Sequence, residues 1–408
     1  MAIKRPKLKF LKGNTYVIDQ SDASNANHPL RFTADSGATE YTHGVTATGT
    51  PGQAGAQVTF NVPDSAPENI MYYCSTHGIG MGNHLKTFAG PPPFVWGGAR
   101  GLIAGGLTYP SGNIDNIDYI NISAPGNAID FGDLYTARYL GASMSNGTRA
   151  AFAGGSISGG YSNTIDYVTV ASTGDAVDFG NLSNGYTYAA GEGDGTYGVM
   201  AGGFRYSGSS YYMDMEYITM DTPSNTTAFG NLSGNQYGRA MGTDGTIGVI
   251  ATGNDGVSPN SKSIGMLTIT MATPGNAVTS SGTLLDDHSY LRGMSGDGTY
   301  LLTGGGRRTN GEYANGWTDM VQRFVTATQG GAQDFGDLNS YGGSMATGSD
   351  GTYAFYAGKE GLNTGSGQQG GRYNTIERIS ITTGGNAINF GTFNNYIEGG
   401  MGSSGNAA

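Results

Sequence analysis

The sequence has few of the residues on which most catalytic and metal sites depend. It contains one cysteine, Cys74, and five histidines among 408 residues. A single cysteine excludes a disulfide within the chain. Only 12% of the residues are charged, and acidic residues (31) outnumber basic ones (20), which gives a net charge of −11. This balance argues against binding to nucleic acid or to anionic membranes, because both need a cationic surface.

Long apolar segments are missing as well. No run approaches the length of a transmembrane helix, so we expect no membrane insertion. The basic start of the chain, MAIKRPKLKFLKG, is not followed by an apolar segment with a cleavage site, so we expect no secretory signal. We interpret residues 1–12 as a basic tail, which is either solvated and mobile or an anchor on an acidic partner.

Glycine and tyrosine are what the sequence has in abundance, with 73 and 26 residues. Helix-forming residues never gather into a run with the period of a helix. Gly, Ser, Thr, Asn and Tyr with few charged residues favour short strands joined by many turns. We therefore predict an all-β protein, and its 408 residues are enough for two or three domains.

A sequence unit built around the element Phe-Gly-Asp/Asn-Leu recurs every 48 to 55 residues. An alternating segment such as IDYVTV precedes the element, and a small-residue strand, an Asp-Gly or Asn-Gly turn and a strand ending in Gly-Gly follow it. Alternation predicts half-buried strands, and the turns predict type I′ hairpins, in which both central residues have φ > 0. The copies lie at Phe131, Phe179, Phe229, Ser281 (a degenerate copy), Phe335 and Phe390.

Six copies of a four-stranded unit predict a six-bladed β-propeller. The glycine pairs suit its inner part, where backbones crowd and side chains do not fit. The first copy lacks a hairpin partner, and the last copy ends in YIEGGMGSSGN, a strand without a follower. We therefore predict that the C-terminal strand pairs with the strand near residues 100–104 and closes the ring, which removes exposed strand edges.

The repeats resemble Kelch repeats over residues 94–408, and this resemblance implies a Kelch-like propeller. The repeat sequence TIDYVTVASTGDAVDFGNLS…AGG resembles virion structural proteins of marine tailed phages, especially cyanophages, more closely still. This second resemblance implies a non-enzymatic structural or appendage protein that is assembled in the host cytoplasm and released by lysis. The N-terminal region would attach to other virion proteins, and the propeller would face outwards to bind a host-surface glycan or protein, or to decorate the capsid.

Residues 13–88 carry no repeat, and segments such as QVTFNV and IMYYCS predict a small β-sandwich. The segment AGPPPF then interrupts the pattern, and its three prolines predict a stiff, extended linker. The predicted order of domains is a basic tail (1–12), a β-sandwich (13–88), a linker (89–94) and a propeller (95–408).

One short segment of the predicted sandwich carries the donors of a metal site. The loop MYYCSTHGIGM places Cys74, His77 and Met81 after a strand, and NHPLRF places His28 before another strand. A thiolate, two imidazoles and a weak thioether are the donors of a blue-copper site. The Cys-x2-His-x3-Met loop resembles the ligand loop of cupredoxins such as plastocyanin, which also have an upstream histidine placed like His28. The resemblance implies a copper site with Cys74 as the thiolate, His28 and His77 as the imidazoles and Met81 as the axial ligand.

Two interpretations of this cupredoxin-like module stay open. It is either an attachment module that keeps the fold without a metal, or a copper-binding module. In the second case the alternative function is electron transfer by a copper protein with a propeller for interactions. His43 and His84 are further candidate ligands in the same module.

Residues 94–408 offer little for catalysis. They contain no cysteine and one histidine, His288, so the usual nucleophile–base pairs are absent from this part of the sequence. Carboxylates recur at equivalent repeat positions, which indicates a structural role and predicts that the protein is not an enzyme; the two acids of a glycosidase are the alternative. Facing carboxylates or carbonyls in the propeller would suit a Ca²⁺ ion. The recurring acids are Asp118, Asp166, Glu216 and Glu377 in one strand, and Asp130, Asp178 and Asp334 before the Phe-Gly element.

The loops after the Gly-Gly elements are the variable part of the repeat, and we expect them to cluster on one rim of the ring. Loops on a rigid scaffold often carry recognition, and Tyr, Ser, Gly and Asn form an adaptable contact surface. We predict that this rim binds a glycan or a protein; the alternative is ordinary solvated loops, and self-association is also left open. The candidate partner-binding residues are Tyr109, Tyr161, Tyr206, Tyr211, Tyr212, Arg307, Arg308, Tyr313 and Trp317, together with Arg205.

Overall fold

The computed structural model describes residues 8–12, 15–35, 39–63, 65–67, 69–88, 98–205, 210–234, 237–251, 253, 263–290, 293–308, 316–361, 368–369 and 371–405. The chain divides into two compact units, residues 1–93 and residues 94–408. The described regular structure is β-strand except for one short 3-10 helix, Ala23–Asn25, so the all-β prediction is confirmed. The described part contains no helix whose length and apolar character would let it cross a membrane. The predicted linker 89–94 and the tail residues 1–7 lie outside the described residues.

The first unit consists of two sheets that share one core. The first sheet contains β1 (Leu8–Leu11), β7 (Gly78–Phe88), β6 (Asn69–Cys74) and β3 (Leu30–Thr33), and the second contains β2 (Thr15–Asp19), β5 (Gln57–Asn61) and β4 (Val45–Thr48). Phe32 and Ile70 of the first sheet pack with Val58 and Phe60 of the second in a single buried cluster. The alternating segments predicted from the sequence therefore bury their apolar faces against each other, as in a two-layer β domain.

The described part of the second unit contains six antiparallel sheets of four or five strands that follow each other along the chain. Sheet one contains β34 (Met401–Gly405), β8 (Arg100–Thr108), β9 (Gly112–Asn121) and β10 (Ile129–Asp133). Sheet two contains β11 (Ala142–Ser145), β12 (Arg149–Ala153), β15 (Thr164–Thr169) and β16 (Val177–Asn181). Sheet three contains β17 (Ala190–Gly193), β18 (Tyr197–Arg205), β19 (Ser210–Thr219) and β20 (Thr227–Asn231). A separate small hairpin pairs β13 (Ser156–Ile157) with β14 (Gly160–Tyr161).

The remaining three sheets repeat this arrangement. Sheet four contains β21 (Ala240–Thr243), β22 (Ile247–Ala251), β23 (Ser263–Thr270) and β24 (Val278–His288). Sheet five contains β25 (Ser295–Gly296), β26 (Tyr300–Gly304), β27 (Met320–Val325) and β28 (Gln333–Asp337). Sheet six contains β29 (Ala346–Ser349), β30 (Tyr353–Glu360), β32 (Arg372–Ser380) and β33 (Ile388–Ile397), with β31 (Gln368–Gln369) beside β32. Each apolar core of this unit lies between two neighbouring sheets, and one of these cores joins sheet six to sheet one.

Sheet one is completed by the end of the chain. Strand β34 pairs antiparallel with β8, in a register that runs from Met401 opposite Ala104 to Gly405 opposite Arg100. The predicted pairing of the C-terminal strand with the strand near residues 100–104 is therefore present. The pairing gives β8 a neighbour on both sides and leaves no open edge there.

The first strands of the six sheets contact one another in a circular order. β11 contacts β17, β17 contacts β21, β21 contacts β25, β25 contacts β29, β29 contacts β34, and β34 contacts β11 again. A residue shortly before each of these strands has a left-handed backbone, with φ between 56° and 68°. These six residues are Leu140, Tyr188, Gly238, Tyr290, Ser344 and Gly399.

Backbone hydrogen bonds connect these left-handed residues from one sheet to the next. The Leu140 N–H donates to the Gly399 carbonyl (2.7 Å), and the Tyr188 N–H donates to the Leu140 carbonyl (2.8 Å). On the other side, the Gly399 N–H donates to the Ser344 carbonyl (2.8 Å), and the Ser344 N–H donates to the Tyr290 carbonyl (2.8 Å). Polar backbone groups at the crowded centre are thus paired between sheets, as buried backbone groups must be.

The turns between the first and second strands differ from the prediction. In the turn Asp194–Tyr197, the Asp194 N–H donates to the Tyr197 carbonyl, and of the two central residues only Gly195 has a positive φ (92°). Glycine at the first central position with a normal second residue is the pattern of a type II′ hairpin, so the type I′ prediction is wrong. The reason is that the aspartate stands before the central pair, where its Oδ1 accepts the N–H groups of Thr196 (2.8 Å) and Tyr197 (2.6 Å).

Candidate metal centre and interaction surface

Three of the four predicted copper ligands lie together in the first unit. The Nδ1 atoms of His28 and His77 lie 3.7 Å and 3.4 Å from the Sγ of Cys74. One ligand atom from each residue can be chosen so that all three lie within 4.8 Å of one another. The two imidazole rings face each other with their centroids 4.5 Å apart. Cys74 is buried, His28 is half-buried and His77 is exposed, so the cluster lies at the edge of the core.

Strand pairing explains why residues far apart in sequence meet here. β6 ends at Cys74, and the chain turns so that Gly78, with φ at 77°, lies opposite Cys74. This turn holds His77 next to the cysteine. On the other side of β6, Leu30 of β3 is the register partner of Cys74, and the Ser75 N–H donates to the Pro29 carbonyl (3.0 Å).

A buried glutamine fixes the backbone that carries His28. The Gln20 side chain is 7% exposed. Its Nε2 donates to the His28 carbonyl (3.2 Å), and its Oε1 accepts the Leu30 N–H (3.0 Å). The His28 N–H donates to the Asn25 carbonyl (2.9 Å). Gln20 is therefore a positioning residue that the sequence motif did not reveal, because it precedes the motif and follows a strand of the other sheet, β2.

Met81 lies in an irregular part of β7. The register moves from Tyr72 opposite Asn83 to Cys74 opposite Gly78, so several residues of β7, Met81 among them, bulge out of the ladder. The Met81 side chain is half-buried, and the contacts described for the histidine–cysteine cluster do not include its sulfur. His43 and His84 are exposed and do not belong to the cluster.

The donor set of the cluster is suited to a soft, borderline metal. One thiolate and two imidazoles in a trigonal arrangement are the ligands of type 1 copper sites, and zinc accepts the same donors. Both imidazoles present the same nitrogen, Nδ1, to the sulfur. These residues therefore fit a copper ion without a change in the fold of the sheet that carries them.

The recurring carboxylates of the second unit connect one sheet to the next. Asp166 of sheet two accepts the backbone N–H of Tyr135 (3.0 Å), which follows the last strand of sheet one. Its second partner is Arg138, at 2.9 Å, and both side chains are fully buried. Glu377 of sheet six likewise accepts the N–H of Asn339 (2.8 Å), which follows the last strand of sheet five. These acids satisfy loop N–H groups between sheets and serve the fold.

Asp118 is the member of this series with a different electrostatic environment. It lies opposite Asp130 in the register of β9 and β10. Burial and the negative charge of Asp130 raise the pKa of Asp118 to about 6. Its ionisation is therefore less favourable in the folded protein than in the unfolded chain, whereas Asp166 lies beside Arg138.

The structure places the predicted partner-binding residues in different environments. Tyr109 is 56% exposed, and Tyr161 and Arg205 line one open cavity together with Gly185 and the β13–β14 hairpin. Tyr212 packs on Tyr186 (ring centroids 5.0 Å apart), and Arg307 is half-buried. The buried members are Arg308, which pairs with Asp286 at 2.9 Å, and Trp317. Tyr206, Tyr313 and the side chains of Tyr211 and His288 lie outside the described residues.

No protein-family model matches this chain, and no curated protein matches it. Its function is therefore inferred from the residues, their geometry and the resemblance of the repeats. Two features carry that inference: the cavity beside Tyr161 and Arg205 on the second unit, and the histidine–cysteine cluster of the first unit.

Proposed function

We propose that this chain is a non-enzymatic structural protein of a tailed-phage particle. In this proposal the N-terminal cupredoxin-like unit attaches to other virion proteins. The second unit is a six-bladed Kelch-like propeller that faces outwards and binds a glycan or protein of the host surface. The resemblance of the repeats supplies the phage context, and the geometry of the second unit supports the role of a rigid display scaffold.

The observation that carries the scaffold role is the circular order of the first strands. Six sheets of one topology, with β34 contacting both β29 and β11, are the arrangement expected of blades around an axis. The pairing of β34 with β8 joins the first and last strands of the second unit in one sheet, which would hold the proposed ring closed. A scaffold closed in this way holds its loops in constant positions, as recognition requires.

The chemistry of the recurring acids supports a non-enzymatic role. A glycosidase needs two carboxyl groups that face one substrate. Asp166 and Glu377 instead accept backbone N–H groups of the preceding sheet, and each also lies beside a buried basic residue. Carboxylates used in this way are not available to protonate or attack a sugar.

The cavity beside Tyr161 is the best-supported contact site among the described loops. Its lining residues include one aromatic residue, Tyr161, one basic residue, Arg205, and three glycines, Gly159, Gly160 and Gly185. Arg205 is held by Asn184, whose Oδ1 accepts a hydrogen bond from its Nη1 (3.4 Å). An aromatic face with one cation and exposed backbone suits an acidic or hydroxyl-rich surface group.

Binding of the labelled full chain to marine cyanobacterial cells tests the recognition role. We expect saturable binding that falls at least about tenfold in the double variant Tyr161→Ala/Arg205→Ala, since anchor residues of an interface commonly carry 1.4 kcal/mol or more. Tyr135→Ala is the matched control, because Tyr135 is 76% exposed and lies outside these loops. Equal binding by the wild type and the double variant would contradict this site.

We also propose that the first unit binds one copper ion through His28, Cys74 and His77, with Met81 as the axial ligand. The geometry of the three residues favours this second function. Copper would supply a one-electron redox centre. The protein would shield the thiolate from solvent, since Cys74 is only 5% exposed. The two hydrogen bonds of Gln20 would fix the backbone that carries the His28 imidazole.

Titration of the full chain with Cu(II) tests this proposal. We expect one equivalent to bind and to give the intense visible absorption of a copper–thiolate bond. Cys74→Ser abolishes the band, whereas His84→Ala, a change at an exposed histidine, leaves it intact. A band of equal intensity in Cys74→Ser, or no band in the wild type, would exclude the site.

A further inference from the structure

The six first strands of the second unit enclose a narrow axial cavity. Every one of these strands contributes to its lining. The lining consists mainly of glycine, serine, threonine and methionine, so hydroxyl and backbone groups supply most of the polar atoms of the lining residues. The polar side chains include Ser143, Ser145, Thr243, Ser295 and Ser349.

Glu192 is the one titratable side chain among the described residues that line this cavity. Its Oε1 accepts a hydrogen bond from the backbone N–H of the next residue, Gly193 (3.0 Å). No basic side chain is among the lining residues. Burial among the surrounding strands raises the pKa of Glu192 to about 8, because it weakens the solvation of the charged form.

Ser295 provides a second, independent observation. It lies on β25, it lines the same cavity, and its side chain is 5% exposed. Its hydroxyl oxygen is buried without a hydrogen-bond partner within the described part of the chain. Buried hydroxyls are normally paired, so an unpaired hydroxyl on a residue that lines this cavity indicates a missing partner.

The chemistry of the lining defines that partner. Carboxylate, hydroxyl and carbonyl oxygens are hard donors, which bind hard cations and not soft metals. Glu192 contributes a single negative charge, and the other donors are neutral. We propose that the axial cavity binds one alkali cation, Na⁺ or K⁺, at Glu192, with neutral oxygen donors that include the Ser295 hydroxyl.

This inference is independent of host binding and of copper binding. It differs from the sequence expectation of calcium, which relied on facing carboxylates. Calcium sites in proteins use several carboxylate oxygens, and the described lining offers one carboxylate. A monovalent ion matches that single charge and competes with the proton for the same oxygen atoms.

Thermal unfolding of the full chain in different chloride salts of equal ionic strength tests the proposal. The measurement is made at about pH 9, where Glu192 is ionised. We expect the unfolding midpoint to be about 2 °C or more higher in NaCl or KCl than in the chloride of the bulky cation N-methylglucamine. Glu192→Gln removes this difference, and Ser295→Ala reduces it.

Asp214→Asn is the matched control, because Asp214 is an exposed acid of sheet three and its loss leaves the cavity unchanged. We expect this variant to keep the full difference between the salts. Equal midpoints in all salts for the wild type, or a difference that persists in Glu192→Gln, would overturn the proposal. A larger rise in CaCl₂ than in NaCl and KCl would also overturn it, in favour of a divalent ion. If Glu192→Gln does not fold, a Rb⁺ anomalous peak in the axial cavity of wild-type crystals supports the site, and its absence contradicts it.

Discussion

At the scale of single residues, the candidate metal centre depends on one side chain outside the motif. Gln20 makes one hydrogen bond to the carbonyl of His28 and one to the N–H of Leu30. The sequence predicted the candidate ligands, since Cys74 and His77 are neighbours in a recognisable loop, and the structure brings both together with His28. It could not predict Gln20, because a glutamine has no preferred spacing to a ligand that it holds through the backbone.

We predict that Gln20→Ala weakens copper binding without removing a ligand. The change breaks two buried hydrogen bonds, each with a net contribution of about 1 kcal/mol, and leaves the backbone groups of His28 and Leu30 unpaired. The apparent copper affinity should fall about tenfold, as measured by competition with a chelator. Gln53→Ala is the control, since Gln53 is exposed. An unchanged affinity in Gln20→Ala would show that the hydrogen bonds of Gln20 do not contribute to copper binding.

A second residue-scale prediction concerns Asp118 and pH. Its folded-state pKa of about 6 lies above the ordinary value of 3.8, so the folded protein holds this proton more tightly than the unfolded chain. The contribution to stability is therefore present below pH 3.8, is lost as the pH rises to about 6, and stays lost above it. Asp118→Asn should raise the unfolding midpoint at pH 7 and flatten this part of the stability curve. A parallel decline in wild type and variant between those pH values would disprove the assignment.

At the scale of elements, an arginine that stacks on a tyrosine of its own sheet also donates a hydrogen bond to the next sheet. In sheet two, Arg149 of β12 lies over the ring of Tyr167 (4.8 Å to the centroid) and donates to the Met220 carbonyl of sheet three. In sheet six the two residue types have exchanged strands: Tyr353 is on β30, and Arg378 of β32 lies over it at 4.0 Å. The guanidinium still donates to the next sheet, at the carbonyl of Ile122 in sheet one (2.9 Å).

We predict that this exchange can be made in sheet two. Arg149→Ala should destabilise the protein by about 1–2 kcal/mol, since it loses a cation–π contact and a hydrogen bond between sheets. The double variant Arg149→Tyr/Tyr167→Arg should recover most of this loss, because it reproduces the arrangement of sheet six. Denaturant unfolding measures the wild type, Arg149→Ala, the double variant and its two single variants, Arg149→Tyr and Tyr167→Arg. If the double variant loses as much free energy of unfolding as its two single variants lose together, the two arrangements are not equivalent.

The sequence predicted the elements better than the contacts between them. Alternation in segments such as IDYVTV correctly indicated strands, because one face of each strand is buried between sheets. The turn type was predicted wrongly, since the pair Asp-Gly was read as the centre of the turn, whereas Asp194 precedes the centre and caps it with its side chain. The arginine–tyrosine contact was missed because it joins residues diagonal to each other on neighbouring strands, and only the register reveals that relation.

At the scale of the whole second unit, the last strand holds the first and last repeats together. β34 pairs with β8 and contacts β11 and β29. The hydroxyl of Ser145 on β11 donates to the carbonyl of Ser404 on β34 (2.7 Å), and Ser143 donates likewise to Gly402. This strand was predicted from the sequence, because the first and last repeats are each incomplete and complement one another.

We predict that ending the chain at Ile397 destabilises the second unit severely. The shortened chain loses β34 and exposes the edges of β8, β11 and β29. Its unfolding midpoint should fall by about 10 °C or more, with aggregation visible by light scattering. A chain that ends at Gly405 retains β34 and is the control. Equal midpoints for the chain ending at Ile397 and the full chain would contradict a structural role for this strand.

The central claim, that this chain is displayed on a phage particle, is tested most directly by electron microscopy of purified particles. The particles are labelled with an antibody against residues 94–408. We expect label at a regular position, on a tail appendage if the second unit serves host recognition and over the capsid if it serves decoration. Absence of label from particles of a phage that encodes this chain would contradict the proposed function, and the copper site of the first unit would then be the function that the structure supports best.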